Sequence, residues 1–507
     1  MIRTSRRRFL AQSGILVGAA ALKPRSCALD FGDNLQARLA ADPLRPQYHL
    51  LPAANWMNDP NGPIFYRGRY HMFHQYNPNG AFWGSMHWAH ASSPDMIHWK
   101  HEPVALAPTP NGYDRDGVFS GSAVLDGDTP TVIYTGVLPP AAPSEITLDD
   151  GQHKWREVQC LATSKDPDLR TWQKLQEPVI ERPPDIAVTG FRDPCVWHEG
   201  KDWLLALGSG IKGKGGAVLL YQSTDLRHWT YLHPLIEGQG TGRPATNAVA
   251  NGEMWECPDF FPLGDRYVLL YATMGKVFWK TGPYRDRRFT AEKEGVVDFG
   301  AYYAAKTMLD ANANRILWGW IPETRPEAEH RAAGWAGLMS LPRTLSIAVD
   351  GGLEMSLSKQ VEALRGRRTR VDQAVRADKE RSLATVRIRD LAAEIQAEGV
   401  AGRDFLLRLR STKGETFAEI ACDRTRPKAK LRVNSTTGEF QTEDPISLRA
   451  LLDGSSLEVF VNRTAVITAR VYTVPRSPLM IEVPDLDALR SLDVWQMNPI
   501  SKDRLTS

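Results

Sequence analysis

The sequence predicts an all-β protein, a five-bladed β-propeller followed by a C-terminal β-sandwich. Two observations carry this prediction: a turn motif that recurs three times, and a later region in which apolar and polar residues alternate. The composition agrees, because 40 glycines, 34 prolines and 15 tryptophans supply many turns and large flat side chains. A length of 507 residues is compatible with two large β domains.

The recurring motif contains a serine, an aspartate, an aliphatic residue and a tryptophan, and it runs on to a proline. Its copies occupy residues 91–99, 162–172 and 222–229, and a pair of strand-like segments precedes each copy. Repeats of short strands and turns are typical of a β-propeller, in which each repeat forms a four-stranded blade. A β-sandwich with coincidental turns is the alternative, and three matching turns disfavour it.

Two further repeats complete the predicted propeller. Segments 260–272 and 277–280 begin a fourth repeat, and segments 302–320 and 337–349 form a fifth. We therefore predict five blades over residues 45–360.

The composition changes after about Leu364, where a charged stretch predicts a linker. Segments 385–388, 405–409 and 457–461 then alternate between apolar and polar residues. Such alternation predicts an antiparallel sandwich over residues 366–505, with one face of each sheet buried. Tryptophan nearly disappears here, so we expect this domain to support the propeller or to form a rim of the substrate site.

Charge and cysteine content exclude several classes of protein. Lys and Arg total 62 against 59 Asp and Glu, a balance that predicts no nucleic-acid partner. Five cysteines are too few for a disulfide scaffold, and we expect no disulfide. The histidines at 71, 74, 87 and 90 alternate like strand residues, and no Cys/His set has zinc spacing. We therefore predict neither a metal site nor a cofactor.

The first 28 residues have the features of a twin-arginine signal peptide. Arg6 and Arg7 precede an apolar stretch at residues 15–22, and small residues follow at the expected exit. This pattern predicts a periplasmic or secreted protein. The apolar stretch is too short to span a membrane, and no later stretch is long enough. A lipid anchor at Cys27 is a minor alternative.

Three carboxylates occur at the starts of predicted blades. Asp59 belongs to the first blade, Asp193 to the third and Glu256 to the fourth. The innermost strands of a propeller converge on one mouth of the central channel, so we expect the three side chains to meet there, in matching blade positions. One carboxylate as nucleophile and another as general acid is the arrangement that glycoside hydrolysis needs.

At these residues the chain resembles glycoside hydrolase family 32, which comprises invertases, inulinases, levanases and related fructosyltransferases. Trp-Met-Asn-Asp-Pro-Asn-Gly-Pro at 56–63 resembles the nucleophile motif, which implies that Asp59 attacks the anomeric carbon of a fructofuranosyl unit. Phe-Arg-Asp-Pro at 191–194 implies that Asp193 holds fructose hydroxyls. Trp-Glu-Cys-Pro at 255–258 implies that Glu256 protonates the leaving group. The resemblance covers nearly the whole mature chain and implies a sucrose or fructan substrate.

Further residues are expected to contact substrate because they lie in motifs that resemble those of the family. They are Asn58, Gln75, Trp83, Phe119, Ser120, Arg192, Cys257, Tyr303 and Trp335. We expect Arg192 to keep the neighbouring Asp193 ionised, and Tyr303 to contact the acid/base. Trp255 and Cys257 should shield Glu256 from water. Residues 321–323 depart from the family pattern, since several relatives carry more aromatic residues there.

Three other functions are alternatives to be weighed against the sequence. A fructosyltransferase would keep the same three carboxylates and differ only in how water and acceptor compete. A non-catalytic fructan-binding protein could lose the acids, whereas all three are retained. An arabinan-cleaving five-bladed hydrolase would lack the Asn-Asp-Pro-Asn-Gly run.

Overall fold

The computed structural model describes residues 33–140, 148–149, 154–240, 247–371, 386–425, 428–441 and 445–504. It confirms the predicted fold class, with five β-sheets that form propeller blades and two six-stranded sheets that form a sandwich. The proposed signal peptide lies outside the described residues. Among the described residues, no helix has the length and apolar character needed to cross a membrane.

Each blade is an antiparallel sheet whose three long inner strands follow one another along the chain, with additional short strands at some edges. The main strands, blade by blade, are Asn55–Tyr66, Arg69–Asn77, His87–Ser93 and Lys100–Leu106; Gly117–Asp126, Thr129–Leu138, Lys154–Thr163 and Leu148–Asp149; Val188–Glu199, Asp202–Ile211, Gly215–Ser223 and Thr230–Glu237; Glu256–Leu263, Arg266–Thr273, Lys276–Gly282 and Lys293–Val296; and Tyr303–Leu309, Arg315–Ile321, Arg343–Ile347 and Leu353–Leu357. The short strands are Gln173–Lys174, Tyr284–Arg285, Arg288–Phe289, Trp335–Ala336 and Leu338–Met339. Within the described residues, two α-helices accompany the propeller, Asp33–Ala41 and Glu327–Ala333.

The three repeated turns follow the third long strand of the first three blades, and their residues explain why the motif recurs. In the third blade, Asp225 accepts hydrogen bonds from the backbone of Arg227 and His228. Leu226 adopts a left-handed φ of 62° and is buried, and the indole of Trp229 donates to its carbonyl. The aspartate therefore stabilises a tight turn that places the aliphatic side chain in the core.

A short segment between the fifth and first blades closes the propeller. Trp335–Ala336 pairs in parallel with the start of the first strand of blade one. Leu338–Met339 pairs with Arg315–Ile321 of blade five. The helix before this segment ends at Gly334, whose φ of 79° is a conformation that glycine adopts without strain. The chain therefore crosses from the last blade to the first at this point.

The sandwich domain begins at Arg365, after a 3-10 helix at Lys359–Leu364. The strands of one sheet, in spatial order, are Arg365–Val371, Leu489–Met497, Ala392–Gly399, Ser447–Asp453, Ser456–Val461 and Ala465–Arg470. Those of the other sheet are Arg387–Ile388, Leu479–Glu482, Phe405–Ser411, Thr416–Thr425, Lys428–Val433 and Thr436–Gln441. A second 3-10 helix occupies Leu486–Ala488.

Inner strands of the first of these sheets are buried on both faces, which corrects the expectation of one buried face, although its edge strand Arg365–Val371 is largely exposed. Its strand Ser456–Val461 is buried at every position. Val459 faces the core between the two sheets, whereas Leu451 and Phe460 pack in a cluster that includes Tyr302 of the propeller. Alternating residues of one strand thus pack into two different cores, one between the two sheets and one shared with the propeller. This is possible because successive side chains of a strand point to opposite faces of its sheet.

A network of buried charges joins the two domains. The ring of His49 lies 2.7 Å from Asp453 Oδ2 and 3.0 Å from Glu458 Oε1. Arg343 of blade five donates to Glu458 at 2.7 Å and to Asp298 at 2.9 Å. These five side chains are all inaccessible to solvent, so their charges are stabilised by one another and by neighbouring donors rather than by water.

Candidate active site

The first strand of every blade carries a β-bulge at the same place. The first strands of neighbouring blades contact one another in a ring around the channel. In each of them two residues face one residue of the second strand. The bulged pairs are Asn58–Asp59, Phe119–Ser120, Asp193–Pro194, Cys257–Pro258 and Ala304–Ala305.

The bulges place adjacent side chains on the same side of the strand. In a regular strand, neighbours such as Asn58 and Asp59 point to opposite faces. Here both line one cavity, as do Phe119 and Ser120. Asp193 has a φ of 66°, a left-handed conformation that is uncommon outside glycine. The bulges therefore concentrate polar side chains at the channel mouth.

The register corrects the expectation that the three carboxylates occupy matching blade positions. Glu256 lies directly before its bulge, Asp193 is the first bulged residue of its strand and Asp59 is the second. Arg192 in blade three and Tyr303 in blade five occupy the position that matches Glu256. The carboxylates do converge on one cavity, but from three different positions.

The cavity has a volume of about 540 Å³, within the range of small-molecule sites. It is lined by ten of the residues proposed from sequence, namely Asn58, Asp59, Gln75, Trp83, Phe119, Ser120, Arg192, Asp193, Glu256 and Tyr303. Gln75 is buried and donates to the carbonyl of Val118 at 2.9 Å, a bond that ties the first blade to the second.

Asp59 is held by donors on both of its carboxylate oxygens. Oδ2 accepts from the hydroxyl of Ser120 at 2.6 Å and lies 3.4 Å from the Sγ of Cys257. Oδ1 accepts from the amide of Asn58 at 3.0 Å. Burial and the nearby charge of Glu256 raise the pKa of Asp59, whereas these donors oppose the increase. The contacts fix the carboxylate in one orientation.

Asp193 is almost fully buried, and its Oδ2 accepts from the backbone N–H of Cys257 at 2.9 Å. Burial is the main cause that raises the pKa of Asp193 to about 7, and the charges of Glu256 and Asp59 add to it, although Arg192 opposes the increase. Arg192 thus favours the ionised form of Asp193, as expected from sequence, while burial and two neighbouring carboxylates act in the opposite direction and raise the pKa overall.

Arg192 bonds to two glutamates. Its Nε and Nη2 donate to Glu256 Oε1 at 3.1 and 2.8 Å, and its Nη1 donates to Glu157 Oε1 at 2.8 Å. The hydroxyl of Tyr303 donates to the other oxygen of Glu256 at 2.8 Å, which is the contact expected from sequence. Three side chains from matching positions in successive blades thus form one chain of hydrogen bonds.

Glu157 anchors this chain, although sequence reasoning missed it. Besides Arg192, its carboxylate accepts from the backbone N–H of Phe191 at 2.6 Å and from the indole of Trp155 at 3.0 Å. It is 1% exposed, so it is a buried charge balanced by a buried guanidinium. Continuing the period-2 alternation backwards from Gln159 would have placed Glu157 and Trp155 on its face of the strand.

An aromatic wall bounds one side of the cavity. Trp155 and Phe119 pack edge to face with ring centroids 5.1 Å apart. Trp83 lies 6.0 Å from Phe119 and 6.4 Å from Trp155. Trp83 is 46% exposed, so this wall extends from the interior of the cavity to solvent. Flat apolar surfaces of this kind suit the faces of sugar rings.

Two proposed contact residues do not line the cavity. Trp335 is fully buried between the helix Asp33–Ala41 and the propeller, and its indole donates to Asp42 at 2.8 Å. Cys257 is also buried, and its thiol lies between Asp59 and Asp193. Trp255, which was expected from sequence to shield Glu256 from water, stacks on Tyr271 with ring centroids 4.0 Å apart. It lies in a cluster of apolar residues between blades.

The remaining cavity residues come from loops and strand ends that carry no motif. They are Trp155, Asn247, Val249, Ala250, Gly275, Ala301, Tyr302, Trp320, Pro322 and Thr324.

Among the described residues, no group of three or more His, Cys, Asp and Glu side chains is arranged to hold a metal ion. His71 and His90 contact each other at 3.0 Å. The four cysteines of the described chain are buried free thiols.

The arrangement provides two carboxylates with different surroundings at one aromatic-walled cavity. Asp59 is fixed among neutral donors, and Glu256 lies between a cation and a phenol. One can bond to a carbon atom while the other exchanges a proton with a leaving oxygen. The fold and site together define a β-propeller glycosidase.

Comparisons with known proteins agree with this class. Residues 49–356 match the glycosyl hydrolases family 32 N-terminal domain, and residues 360–495 match the family's C-terminal domain. The chain is 34% identical over 467 residues to raffinose invertase of Escherichia coli, covering 84% of this chain and 89% of that protein. It is 33% identical to a sucrose-6-phosphate hydrolase of the same organism, covering 85% and 90%.

A solved structure is also similar. Fructan 1-exohydrolase IIa from Cichorium intybus superimposes with a TM-score of 0.75 at 26% identity, covering 90% of this chain and 98% of that one. The chain belongs to glycoside hydrolase family 32, and it is a glycosidase of the β-fructofuranosidase type.

Proposed function

We propose that this enzyme hydrolyses β-fructofuranosyl linkages with retention of configuration, through a covalent fructosyl ester of Asp59. The observation that carries the proposal is the contrast between two carboxylates at one cavity. Asp59 accepts hydrogen bonds from Ser120 and Asn58, whereas Glu256 is bonded to Arg192 and Tyr303. The first suits a nucleophile held in place, and the second suits a group that gains and loses a proton.

In the first step, a carboxylate oxygen of Asp59 bonds to the anomeric carbon of the fructosyl unit. The bond from that carbon to the glycosidic oxygen breaks, and its electron pair stays on the oxygen, which takes a proton from Glu256. In the second step, ionised Glu256 removes a proton from water, and the water oxygen displaces Asp59 from the anomeric carbon. Fructose leaves and both carboxyl groups return to their initial states.

The contacts of Glu256 suit both of its protonation states. Arg192 donates twice to Oε1, which leaves Oε2 to carry the transferred proton. The Tyr303 hydroxyl beside Oε2 can accept a hydrogen bond from the protonated acid and donate one to the carboxylate. Arg192 then stabilises the negative charge that Glu256 acquires when the leaving group departs.

Asp193 is proposed to bind hydroxyl groups of the fructosyl ring. It lines the cavity beside Asp59, and one of its oxygens is occupied by the backbone N–H of Cys257. Its other carboxylate oxygen is able to accept a hydrogen bond from a ring hydroxyl. Hydrogen bonds of this kind that strengthen in the transition state add to catalysis.

We propose neutral fructosides, such as sucrose and short fructans, as substrates. Among the described residues that line the cavity, Arg192 is the one cation, and it is already bonded to Glu157 and Glu256. A phosphate group on the substrate would therefore meet no unengaged positive charge from these residues. The chicory exohydrolase, solved in complex with 1-kestose, supports a fructan among the candidates.

The test of mechanism is the configuration of the first product. Proton NMR of fresh reactions should show β-fructofuranose before mutarotation, and some transfer products should form at high sucrose because a sugar hydroxyl can replace water. Release of the α-anomer first would contradict retention. The proposed substrates are tested by measuring kcat/KM for sucrose, 1-kestose and sucrose 6-phosphate. A higher kcat/KM for the phosphorylated sugar would contradict the proposal that the substrates are neutral fructosides.

We further propose export by the twin-arginine route, on the sequence of residues 1–28. Replacing Arg6 and Arg7 together by lysine should leave active, folded enzyme in the cytoplasm, measured as fructose release in cell fractions. Arg25→Lys is the matched control, because Arg25 follows the apolar stretch and lies outside the arginine pair. Unimpaired export of the double variant would indicate the general secretory route.

A further inference from the structure

The rim of the cavity carries a segment, residues 322–325, that is tied to the sandwich domain. Pro322 and Thr324 line the cavity, and Thr324 is exposed. Between them, Glu323 turns inward, with a side chain that is 1% exposed. This segment is also where the sequence departs from the aromatic pattern of several relatives.

Glu323 binds partners from both domains. Arg325 of the same segment donates to its two oxygens at 3.0 and 2.8 Å. From the sandwich domain, the hydroxyl of Tyr472 donates to Oε1, and Arg470 lies 3.9 Å from Oε2. Although burial opposes it, Arg325, Arg470 and Tyr472 lower the pKa of Glu323 to about 2, so this carboxylate stays charged.

The sandwich domain also contacts the backbone of the segment. Arg470 Nη1 donates to the carbonyl of Pro322 at 3.2 Å, and the backbone N–H of Thr324 lies 3.4 Å from the Tyr472 hydroxyl. The bonds therefore fix the two residues that face the cavity, and not only the glutamate between them.

Trp335 is stacked against the same cluster. The guanidinium of Arg325 lies 4.7 Å from the Trp335 ring centroid, and that of Arg470 lies 5.7 Å from it. The same two guanidinium groups lie 4.9 and 4.8 Å from the ring of Tyr472. Trp335, proposed from sequence as a substrate contact, thus supports the segment that reaches the cavity.

The position of the segment relates it to the leaving group. Asp193 is 3% exposed, whereas the side chain of Glu256 is 20% exposed and Thr324 is exposed at the rim. Under the proposed function, the fructosyl unit occupies the buried end of the cavity, because it must reach Asp59. The leaving group then lies on the solvent side of Glu256, where the rim residues are.

We propose that Tyr472 and Arg470 are positioning residues that hold residues 322–324 against the leaving group. The sandwich domain then determines in part how tightly the enzyme holds its leaving group, although it contributes no residue to the bond-breaking step. This inference rests on the proposed function, and it concerns the leaving-group side of the cavity alone.

The test compares Tyr472→Phe and Glu323→Gln with wild type in the full-length enzyme. Tyr472→Phe retains the ring that stacks on the guanidinium groups and removes only the hydroxyl. Glu482→Gln is the matched control, since Glu482 pairs with Arg408 and Arg410 within the sandwich domain. The measurements are kcat and KM for sucrose and 1-kestose, the inhibition constant of fructose, and Tm.

We expect KM for both substrates to rise about fivefold in the two rim variants, the effect of losing about one hydrogen bond. We expect the inhibition constant of fructose to stay at the wild-type value, because fructose occupies the buried end. The control should match wild type throughout. A loss of folded enzyme alone would lower the apparent kcat for both substrates and leave KM unchanged.

Two results would overturn the inference: an unchanged KM in both rim variants, or a KM that rises in proportion to the fructose inhibition constant. The proposed function fails separately, since it requires wild-type enzyme to release fructose from sucrose or 1-kestose. An active wild type with rim variants that behave like the control would refute the positioning role and leave the function standing.

Discussion

The strongest prediction about stability concerns His49, which lies buried between the two domains. Although burial opposes it, hydrogen bonds and charges from Asp453 and Glu458 raise the pKa of His49 from 6.5 to about 9. The folded protein therefore binds this proton more tightly than the unfolded chain does. The difference corresponds to roughly 3 kcal/mol of folding free energy, at about 1.36 kcal/mol per pKa unit.

The sign of the effect follows from which state binds the proton. Below about pH 6.5 histidine is protonated in both states, and the contribution is fully present. It is lost as the pH rises through about 9, because the folded state then has to release the proton as well. Between about pH 6 and pH 10, the free energy of unfolding should thus fall by about 3 kcal/mol more for wild-type enzyme than for the His49→Gln variant.

The assay is urea unfolding of wild type and His49→Gln at both pH values. Other groups titrate in this interval, so the quantity of interest is the difference between the two proteins. His98→Gln is the control, because His98 and Asp95 form a pair whose side chains are 47% and 41% exposed, and exposed pairs contribute little. Equal losses in wild type and His49→Gln would refute the charged network between the domains.

Three further predictions concern catalysis. Glu256→Ala should lower kcat/KM, which reports the first step alone, far less on an aryl fructoside with a good leaving group than on sucrose, whereas Asp59→Ala should lower it equally on both; equal losses of kcat/KM for Glu256→Ala would contradict its role as acid. Ser120→Ala should move the acid limb of the kcat/KM profile to higher pH, because it removes a hydroxyl bond that lowers the pKa of Asp59; an unshifted limb would argue against Asp59 as the titrating group. Glu157→Gln should lower kcat on sucrose about tenfold and less on the aryl fructoside, because Arg192 then loses a hydrogen-bond partner that holds it beside Glu256. An equal loss of kcat on both substrates would argue that Glu157 does not act through Arg192 and Glu256.

The propeller could be predicted from sequence because its signal is local. An aspartate, an aliphatic residue in a left-handed conformation and a tryptophan make contacts within a single turn, as Asp225, Leu226 and Trp229 show. Such a motif keeps its form wherever the blade lies. The three carboxylates could be found for a related reason, since each belongs to a short motif at the start of a blade.

The register within the site could not be predicted. It depends on where each bulge falls, and a bulge is fixed by pairing with the second strand rather than by the motif itself. Sequence adjacency suggested that Arg192 acts on Asp193, whereas the bulge directs its guanidinium to Glu256 in the next blade. Glu157, which holds the other side of that guanidinium, lies 35 positions away.

Contacts between the two domains likewise could not be predicted from the sequence. Trp335 carries an aromatic side chain near a family motif, and only the docking of the sandwich domain shows that it supports a rim segment. Tyr472 and Glu323 are 149 positions apart, and no local pattern joins them. Alternation correctly predicted strands of the sandwich domain, but it could not show that inner strands of one sheet are buried on both faces.

The most direct test of the central claim is to trap the fructosyl ester. Glu256→Gln should form it from an aryl fructoside, because a good leaving group needs no acid, and should then hydrolyse it slowly, because no base activates water. Mass spectrometry of the digested enzyme is predicted to find one anhydrofructosyl unit on the peptide that contains Asp59. Label on another residue, or none while the aryl alcohol is still released in a burst, would contradict the account.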